Sequence, residues 1–293
     1  MRFKGAITAL VTPFKEDGSL DIEVLKQLVR FQLKGSIDGI VPCGTTGEAV
    51  TLNEEEYRLV VETVVQEIRG KVPVIAGAGS NDTQKAIHCS KIAKESGADA
   101  LLHVTPYYNK PTPLGLLAHF KAIAKVVNLP IILYNVPGRT GSNVSAATTI
   151  KIAKEVPQVV GVKEASGNVP QMMEIIKGVS PSFSVLSGDD AFTLPLMAAG
   201  GVGIISVASN QIPKAMHDLT QAALEGDFER ARKIHYQWLD LMNINFIESN
   251  PIPVKTALSM MGKIKEIFRL PLVAMEDKNR EALKAVLKSH KLI

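Results

Sequence analysis

The segment that decides the fold is residues 159–167, VVGVKEASG, a short apolar run that ends in a lysine and a glycine-containing turn. Such a run is typical of a buried β-strand with Lys163 at its carboxyl end. Burial disfavours the charged ammonium and lowers its pKa, so a lysine at this place can be a neutral amine that attacks ketones. Taken alone, the commoner interpretation is that Lys163 reaches the surface or pairs with an acid such as Glu164.

Similar apolar runs recur along the chain and alternate with segments of helical periodicity. The predicted strands are residues 5–12, 39–43, 72–77, 99–105, 130–135, 159–163, 183–187 and 202–207. Most are continuously apolar, which is typical of parallel strands covered on both faces. Eight strand–helix units predict an α/β fold, a closed (β/α)8 TIM barrel. A doubly wound open sheet is the alternative, but Thr12-Pro13-Phe14 after the first strand does not match its G-x-G-x-x-G turn.

The strand signals stop near residue 225, and only helical segments follow. Asp227 can cap a helix, and residues 250–253 (NPIP) would end it. Two further helices are expected near residues 254–261 and 277–288. We therefore interpret the chain as a barrel, residues 1–224, with a C-terminal helical region, residues 225–293, packed on it.

The composition is that of an ordinary globular protein and excludes several classes of function. The 293 residues are 46% hydrophobic and 21% charged, with a formal net charge of +4. Basic and acidic residues are interleaved without a basic stripe, which argues against nucleic-acid binding. No apolar run is long enough to span a membrane, and we expect no signal peptide before the first strand. Cys43 and Cys89 make no disulfide framework, so we expect reduced thiols in a cytoplasmic protein.

Polar residues concentrate at the carboxyl ends of the predicted strands, where barrels of this kind place their active sites. The turn at residues 44–48, GTTGE, follows the second strand and can offer backbone N–H groups to a carboxylate. Tyr134 ends the fifth strand and could relay protons, and Arg139 could clamp a carboxylate with its guanidinium. A tyrosine that only packs its ring and a surface salt bridge are the alternatives. No histidine or cysteine spacing predicts a metal site.

These residues lie in motifs that resemble one family nearly from end to end. The motifs are TALVTPF (8–14), CGTTGEAVTLN (43–53), VIAGAGSN (74–81), VTPYYNKP (104–111), ILYNVPGRTG (132–141), GVKEASGN (161–168), LSGDD (186–190), ISV (205–207) and NPIPVK (250–255). The chain closely resembles the dihydrodipicolinate synthase family, within a superfamily of class I pyruvate aldolases that includes N-acetylneuraminate lyase. GTTGE, Tyr134 and Lys163 are shared across that superfamily, whereas Arg139 is more specific to the synthases.

The resemblance implies a Schiff-base-forming lyase of lysine biosynthesis. Such an enzyme condenses pyruvate with aspartate semialdehyde to 4-hydroxy-tetrahydrodipicolinate. Lys163 would form an imine and then an enamine with pyruvate, so that no metal or organic cofactor is needed. Thr45 and Thr46 would bind the pyruvate carboxylate through their backbone N–H groups, and the backbones of Gly188 and Ile205 would shape the pocket.

The same resemblance implies a proton relay of Tyr134, Thr45 and Tyr108, with Tyr108 reaching in from a neighbouring subunit of a homotetramer. Arg139 would bind the carboxylate of aspartate semialdehyde. Two other functions stay open. One is an aldolase that acts on a sugar acid, against which Arg139 argues. The other is a non-catalytic sensor, which would have no use for a lysine nucleophile.

A second site of the family departs from the expected pattern. Relatives that lysine inhibits often carry serine, histidine, histidine and glutamate at four positions, which here are Ala49, Glu54, Tyr57 and Lys85. Only Asn81 and Tyr107 keep that pattern. We therefore expect free lysine to inhibit this protein weakly or not at all.

Overall fold

The computed structural model describes residues 3–293. Met1 and Arg2, with which the N-terminal segment of the sequence begins, lie outside the described part. Within it, eight parallel strands alternate with helices. The strands are β1 (Gly5–Ala9), β2 (Gly39–Val41), β3 (Ile75–Gly77), β4 (Ala100–Val104), β5 (Ile131–Asn135), β6 (Val159–Glu164), β7 (Ser184–Ser187) and β8 (Gly203–Ser206). Each strand overlaps its predicted run, with ends that differ by at most three residues.

The strands close into a barrel. Their hydrogen-bonded order is β2-β1-β8-β7-β6-β5-β4-β3, and every paired neighbour is parallel. Two contacts join β2 to β3, a parallel bridge between Ile40 and Val74 and a hydrogen bond from the N–H of Gly77 to the carbonyl of Pro42 at 3.0 Å. The predicted (β/α)8 barrel is confirmed, and the doubly wound alternative is wrong.

The described residues also form the helices that surround and extend the barrel. They are α1 (Ile22–Lys34), α2 (Glu54–Ile68), α3 (Thr83–Glu95), α4 (Pro113–Val126), α5 (Pro137–Thr140), α6 (Ala146–Glu155), α7 (Val169–Gly178), α8 (Thr193–Ala198), α9 (Pro213–Leu224), α10 (Phe228–Ile244), α11 (Ile252–Met260) and α12 (Asp277–Ser289). Local chemistry sets where they begin. Asp227 caps α10 by accepting from the N–H of Arg230 at 3.0 Å, and Asn53 with Glu56 forms a capping box on α2. No helix within residues 3–293 is long and apolar enough to cross a membrane.

Buried apolar side chains form an inner and an outer layer. The inner cluster fills the barrel and includes Ile7, Val41, Ile132 and Leu186, with Tyr134 among them. A larger cluster fills the space between the strands and the surrounding helices. The polar side chains at the carboxyl ends of the strands therefore lie next to this apolar inner layer.

The C-terminal helices pack on the barrel rather than standing apart from it. Helix α10 packs along α9, and α12 packs on both α10 and α11. The division of the chain at residue 224 stays an interpretation of the sequence. The segment that follows α10 returns to the mouth of the barrel, where Asn250 contacts the loop after β2.

Candidate active site

A cavity of about 360 Å³ opens where the strands end, at the mouth of the barrel. It brings together most of the side chains that the sequence predicted as site residues. Those that line it are Thr45, Thr46, Tyr134, Arg139, Lys163 and Gly188. We call this cavity the barrel-mouth pocket.

Lys163 is a buried lysine at the end of β6, with only 5% of its surface exposed. Burial lowers the pKa of its amine to about 7, and the nearby Arg139 charge adds to the lowering while Asp190 opposes it. Its Nζ lies 4.3 Å from the centroid of the Tyr134 ring, because the register pairs Tyr134 on β5 with Lys163 on β6. A large fraction of the amine is therefore neutral at neutral pH, as a nucleophile requires.

Glu164 does not pair with Lys163, because successive side chains of a strand point to opposite faces. The Glu164 carboxylate is fully buried on the outer face of β6. It accepts hydrogen bonds from the side-chain amides of Asn135 at 3.0 Å and Gln171 at 3.1 Å, and from the N–H of Ser166 at 2.8 Å. The interpretation of Lys163 as a surface or ion-paired lysine is therefore wrong.

Tyr134 lines the pocket and also belongs to the inner apolar cluster. Burial raises the pKa of this phenol, and the Arg139 charge and a hydrogen bond with Thr45 oppose that rise. The phenol is therefore protonated at neutral pH, so that it can donate a proton to a group in the pocket.

The turn after β2 brings Thr45 and Thr46 to the pocket. Gly47 fits there closely, because a Cβ at this position would lie only 3.0 Å from the carbonyl oxygen of Leu10 and 3.2 Å from the N–H nitrogen of Cys43. Within residues 3–293, neither the N–H of Thr45 nor that of Thr46 has a hydrogen-bond acceptor. Two neighbouring N–H groups are thus free to bind an anion.

Arg139 lies in α5, a helix of four residues that Gly141 ends with a φ of 68°. Its guanidinium faces the pocket and donates to the backbone carbonyl of Asn250 at 3.1 Å, rather than to a carboxylate. This geometry favours the predicted carboxylate clamp over a surface salt bridge, because most of the guanidinium donors remain available to a ligand.

Two predicted site residues do not line the pocket of this chain. Tyr108 is 90% exposed, so its side chain is open to solvent, and its φ is 69°. Ile205 is fully buried in β8, where it belongs to the inner apolar cluster with Tyr134. A role of Ile205 in shaping the pocket is therefore indirect, through the position of β8.

The structure adds two residues to which the sequence reasoning gave no role in the site. Asp190 is buried and accepts from the Ser206 hydroxyl at 2.5 Å and from the N–H groups of Val207 and Ala208, and burial raises its pKa to about 6. Asn250 lines the pocket and donates its side-chain amide to the Thr46 hydroxyl at 2.9 Å. Both belong to motifs of the family resemblance, which was the available signal.

Metal ligands are not grouped in the described part of the chain. Within residues 3–293, no set of three or more histidine, cysteine, aspartate or glutamate side chains is placed to hold a metal ion. Cys43 and Cys89 are free thiols, as predicted. A reaction without metal or organic cofactor stays a prediction, which chelation can test.

Comparison with known proteins agrees with this geometry. Residues 2–290 match the model of the dihydrodipicolinate synthetase family. The chain belongs to this family. The 4-hydroxy-tetrahydrodipicolinate synthase of Maridesulfovibrio salexigens is 53% identical to it over 100% of both chains. The predicted family and enzyme class are thereby confirmed.

Solved structures of the family superpose closely on this chain. Dihydrodipicolinate synthase from Aquifex aeolicus is 50% identical, with a TM-score of 0.97 over 99% of each chain. A dihydrodipicolinate synthase from Acinetobacter baumannii, crystallised in complex with pyruvate, is 45% identical, with a TM-score of 0.97 over 99% of this chain and 100% of that one. These family relationships favour a synthase over the sugar-acid aldolase and the non-catalytic sensor.

Proposed function

We propose that the protein condenses pyruvate with L-aspartate 4-semialdehyde to give 4-hydroxy-tetrahydrodipicolinate, in the diaminopimelate route to lysine. One observation carries this proposal. The buried amine of Lys163, whose pKa is lowered to about 7, lies over the Tyr134 ring in a pocket that also holds Arg139. The activity named for the relatives and the pyruvate complex of the Acinetobacter baumannii enzyme support it.

The first half of the reaction uses the lysine and the threonine turn. The neutral amine of Lys163 attacks the ketone carbon of pyruvate, and loss of water from the carbinolamine gives an iminium ion. The free N–H groups of Thr45 and Thr46 bind the carboxylate of pyruvate and orient its ketone toward the amine. Loss of a methyl proton from the iminium then gives an enamine.

Tyr134 moves the protons of these steps. Its raised pKa keeps the phenol protonated, so it can protonate the departing hydroxyl of the carbinolamine. Thr45 lines the same pocket as the phenol, and in this proposal it is the next member of the route for the proton that the reaction must exchange. In this proposal Tyr108 from a neighbouring subunit completes the relay toward solvent.

The second half of the reaction depends on Arg139. Its guanidinium binds the carboxylate of aspartate semialdehyde by charge-assisted hydrogen bonds. The enamine carbon attacks the aldehyde, which forms the new carbon–carbon bond and leaves a hydroxyl. The substrate's own amine then attacks the iminium carbon and displaces Lys163, which closes the ring and releases the free enzyme.

The assembly and location are part of the same proposal. A homotetramer is supported by the exposure of Tyr108, by the large exposed side chains Val50 (86%) and Leu114 (69%), and by the need for a second subunit's tyrosine. We also propose a cytoplasmic location, in keeping with the two free thiols. Sedimentation velocity would measure the oligomer, and a monomer with full activity would contradict the shared relay.

Borohydride reduction with pyruvate tests the central step. Reduction should add a pyruvate-derived mass to the peptide that contains Lys163. Lys255 is a matched internal control, because it is also fully buried but its ammonium is paired with Glu48. A label on a lysine other than Lys163, or no label at all, would refute the mechanism.

A further inference from the structure

A second buried lysine lies behind the loop that carries Thr45 and Thr46. Lys255, on α11, donates to the Glu48 carboxylate at 2.5 Å, and the two side chains are 0% and 1% exposed. Lys255 also donates to the carbonyl of Ile267 at 2.7 Å, and its Nζ lies 4.4 Å from the centroid of the Phe14 ring. Its ammonium thus makes two hydrogen bonds, and Lys255 does not line the barrel-mouth pocket.

Glu48 follows the two threonines after Gly47 and has an unusual backbone. Its φ is 51°, in the left-handed region that residues other than glycine seldom adopt, and its N–H donates to the carbonyl of Thr45 at 3.1 Å. Such a conformation persists where surrounding contacts fix it. Here one carboxylate oxygen accepts from Lys255 and the other from the N–H of Arg269 at 3.2 Å.

The C-terminal segment at residues 250–269, which contains Lys255, also contacts the loop on both sides of Glu48. Asn250 donates to the Thr46 hydroxyl at 2.9 Å, and the Arg269 guanidinium donates to the carbonyl of Thr51 at 2.8 Å. The loop that offers its N–H groups to a carboxylate is therefore fixed by a region more than 190 residues away in sequence. Among these contacts between the loop and the C-terminal segment, Glu48–Lys255 is the one in which both side chains are charged and buried.

We propose that Glu48 and Lys255 are a positioning pair that holds the N–H groups of Thr45 and Thr46 where they bind the carboxylate of the 2-oxo acid substrate. The C-terminal helical region thereby sets the affinity for pyruvate, while neither residue of the pair contacts the reacting atoms. This inference rests on the proposed function, since it assigns the threonine turn to pyruvate.

The physics of buried ion pairs supplies a clean test. Removing one partner leaves a buried charge unpaired and destabilises the fold, whereas replacing both by uncharged groups of similar volume is often neutral or stabilising. The double variant Glu48→Gln/Lys255→Met should therefore fold while losing the geometry of the loop. The single variant Lys255→Met should lower the melting temperature more than the double variant does.

The decisive measurement is the pyruvate concentration that gives half-maximal borohydride trapping at Lys163. In the double variant we expect it to rise tenfold or more, whereas the KM for aspartate semialdehyde should change less than threefold. Glu16→Gln/Lys265→Met is the matched control, because it removes an exposed Glu–Lys pair at 2.7 Å from the same C-terminal segment. That control should stay within twofold of the unmodified protein in every quantity.

Several outcomes would overturn the inference. A folded double variant whose half-saturation by pyruvate changes less than twofold would do so, and so would an equal rise in the KM of both substrates. If the double variant does not fold, Glu48→Asp replaces it, because it keeps the charge and shortens the side chain by one methylene, which withdraws the carboxylate from Lys255. It should raise half-saturation by pyruvate at least threefold, and no rise would again refute the pair. Absence of trapping in the unmodified protein would instead refute the proposed function.

Discussion

The barrel-mouth pocket and the groove between α2 and α3 each contain a lysine, and the two lysines differ in burial. The groove has a volume of about 460 Å³, similar to the pocket, and it is lined by Ala49, Leu52, Asn53, Glu54, Tyr57, Gln84, Lys85, His88, Cys89 and Ile92. Lys163 in the pocket is 5% exposed, whereas Lys85 in the groove is exposed to solvent. Burial therefore distinguishes the two lysines, because only a desolvated amine has the lowered pKa that a nucleophile needs.

The two sites also differ in how their charges are held. The pocket gathers side chains from the ends of several strands over an apolar floor, so its charges interact with little screening. The groove lies between two helices, and its Glu54–His88 contact at 2.8 Å joins side chains that are 56% and 60% exposed. Water and salt screen such a contact strongly. Substitutions in the pocket should therefore have large effects, and those in the groove small ones.

The largest effect is expected from removing the nucleophile. Lys163→Ala should lower kcat/KM on the order of 10⁴-fold or more, because a residue that forms the covalent intermediate has no substitute nearby. Lys85→Ala is the matched control in the groove and should leave kcat/KM within about twofold. Steady-state rates with both substrates measure this difference. Comparable losses of kcat/KM in the two variants would show that the pocket and the groove do not differ in this way.

The next largest effect is expected at Arg139. Losing a charge-assisted contact to a substrate carboxylate costs about 1.5–3 kcal/mol, which corresponds to roughly 10- to 150-fold in rate. Arg139→Ala should therefore lower kcat/KM for aspartate semialdehyde by that factor, while borohydride trapping of pyruvate at Lys163 persists. Equal losses in both half-reactions would mean that Arg139 binds pyruvate or is structural.

A smaller effect is expected on the pH dependence. Imine formation needs the neutral amine, and burial lowers the pKa of Lys163 to about 7. The rate of pyruvate trapping should thus rise about tenfold per pH unit below 7 and level off above it. The Asp190 charge raises this pKa, so Asp190→Asn should move the midpoint to lower pH. A midpoint near the ordinary lysine value would show that Lys163 is not desolvated.

The strands could be predicted from the sequence because each is a continuous apolar run. Their ends were less certain, for two local reasons. Residues 72–74 precede β3 because Pro73 has no N–H with which to extend the ladder. Val11, predicted in the first strand, lies beyond β1, and its N–H donates to the side chain of Asn210 at 3.2 Å instead of to a strand. Local chemistry therefore makes β1 and β3 shorter than the apolar runs that predicted them.

The pocket could be predicted as far as its residues lie in local motifs. Thr45, Tyr134 and Lys163 each end a strand or follow one, so the barrel itself brings them together. Asn250 follows no strand, so the barrel pattern did not indicate its place, although it belongs to the NPIPVK motif. It lies 204 residues from Thr46, and the prolines beside it indicated only the end of a helix. Tyr108 is 90% exposed and lies outside the pocket of its own chain, so its role in the relay stays a prediction.

The smallest effect is expected from free lysine acting at the groove. A lysine ligand carries two ammonium groups and one carboxylate at neutral pH, so its site needs anions and acceptors. Here Lys85 stands where the family resemblance leads us to expect an acid in lysine-inhibited members, and it would repel an ammonium group. The Glu54 carboxylate is already bonded to His88 at 2.8 Å, and Ala49 offers no hydroxyl.

We therefore expect less than about 20% inhibition by 1 mM lysine at saturating pyruvate, because attraction between exposed charges is weak even when the signs match. Lys85→Glu should increase sensitivity to lysine, since it turns the repulsion into an attraction. Lys91→Glu makes the same change of charge at an exposed position elsewhere on α3 and should leave the sensitivity as it was. Strong inhibition of the unmodified protein below 1 mM would show that other groups, such as the buried Tyr57 hydroxyl, hold the ligand. The groove would then be a second functional site, and only the chemistry of Lys163 would distinguish the barrel-mouth pocket from it.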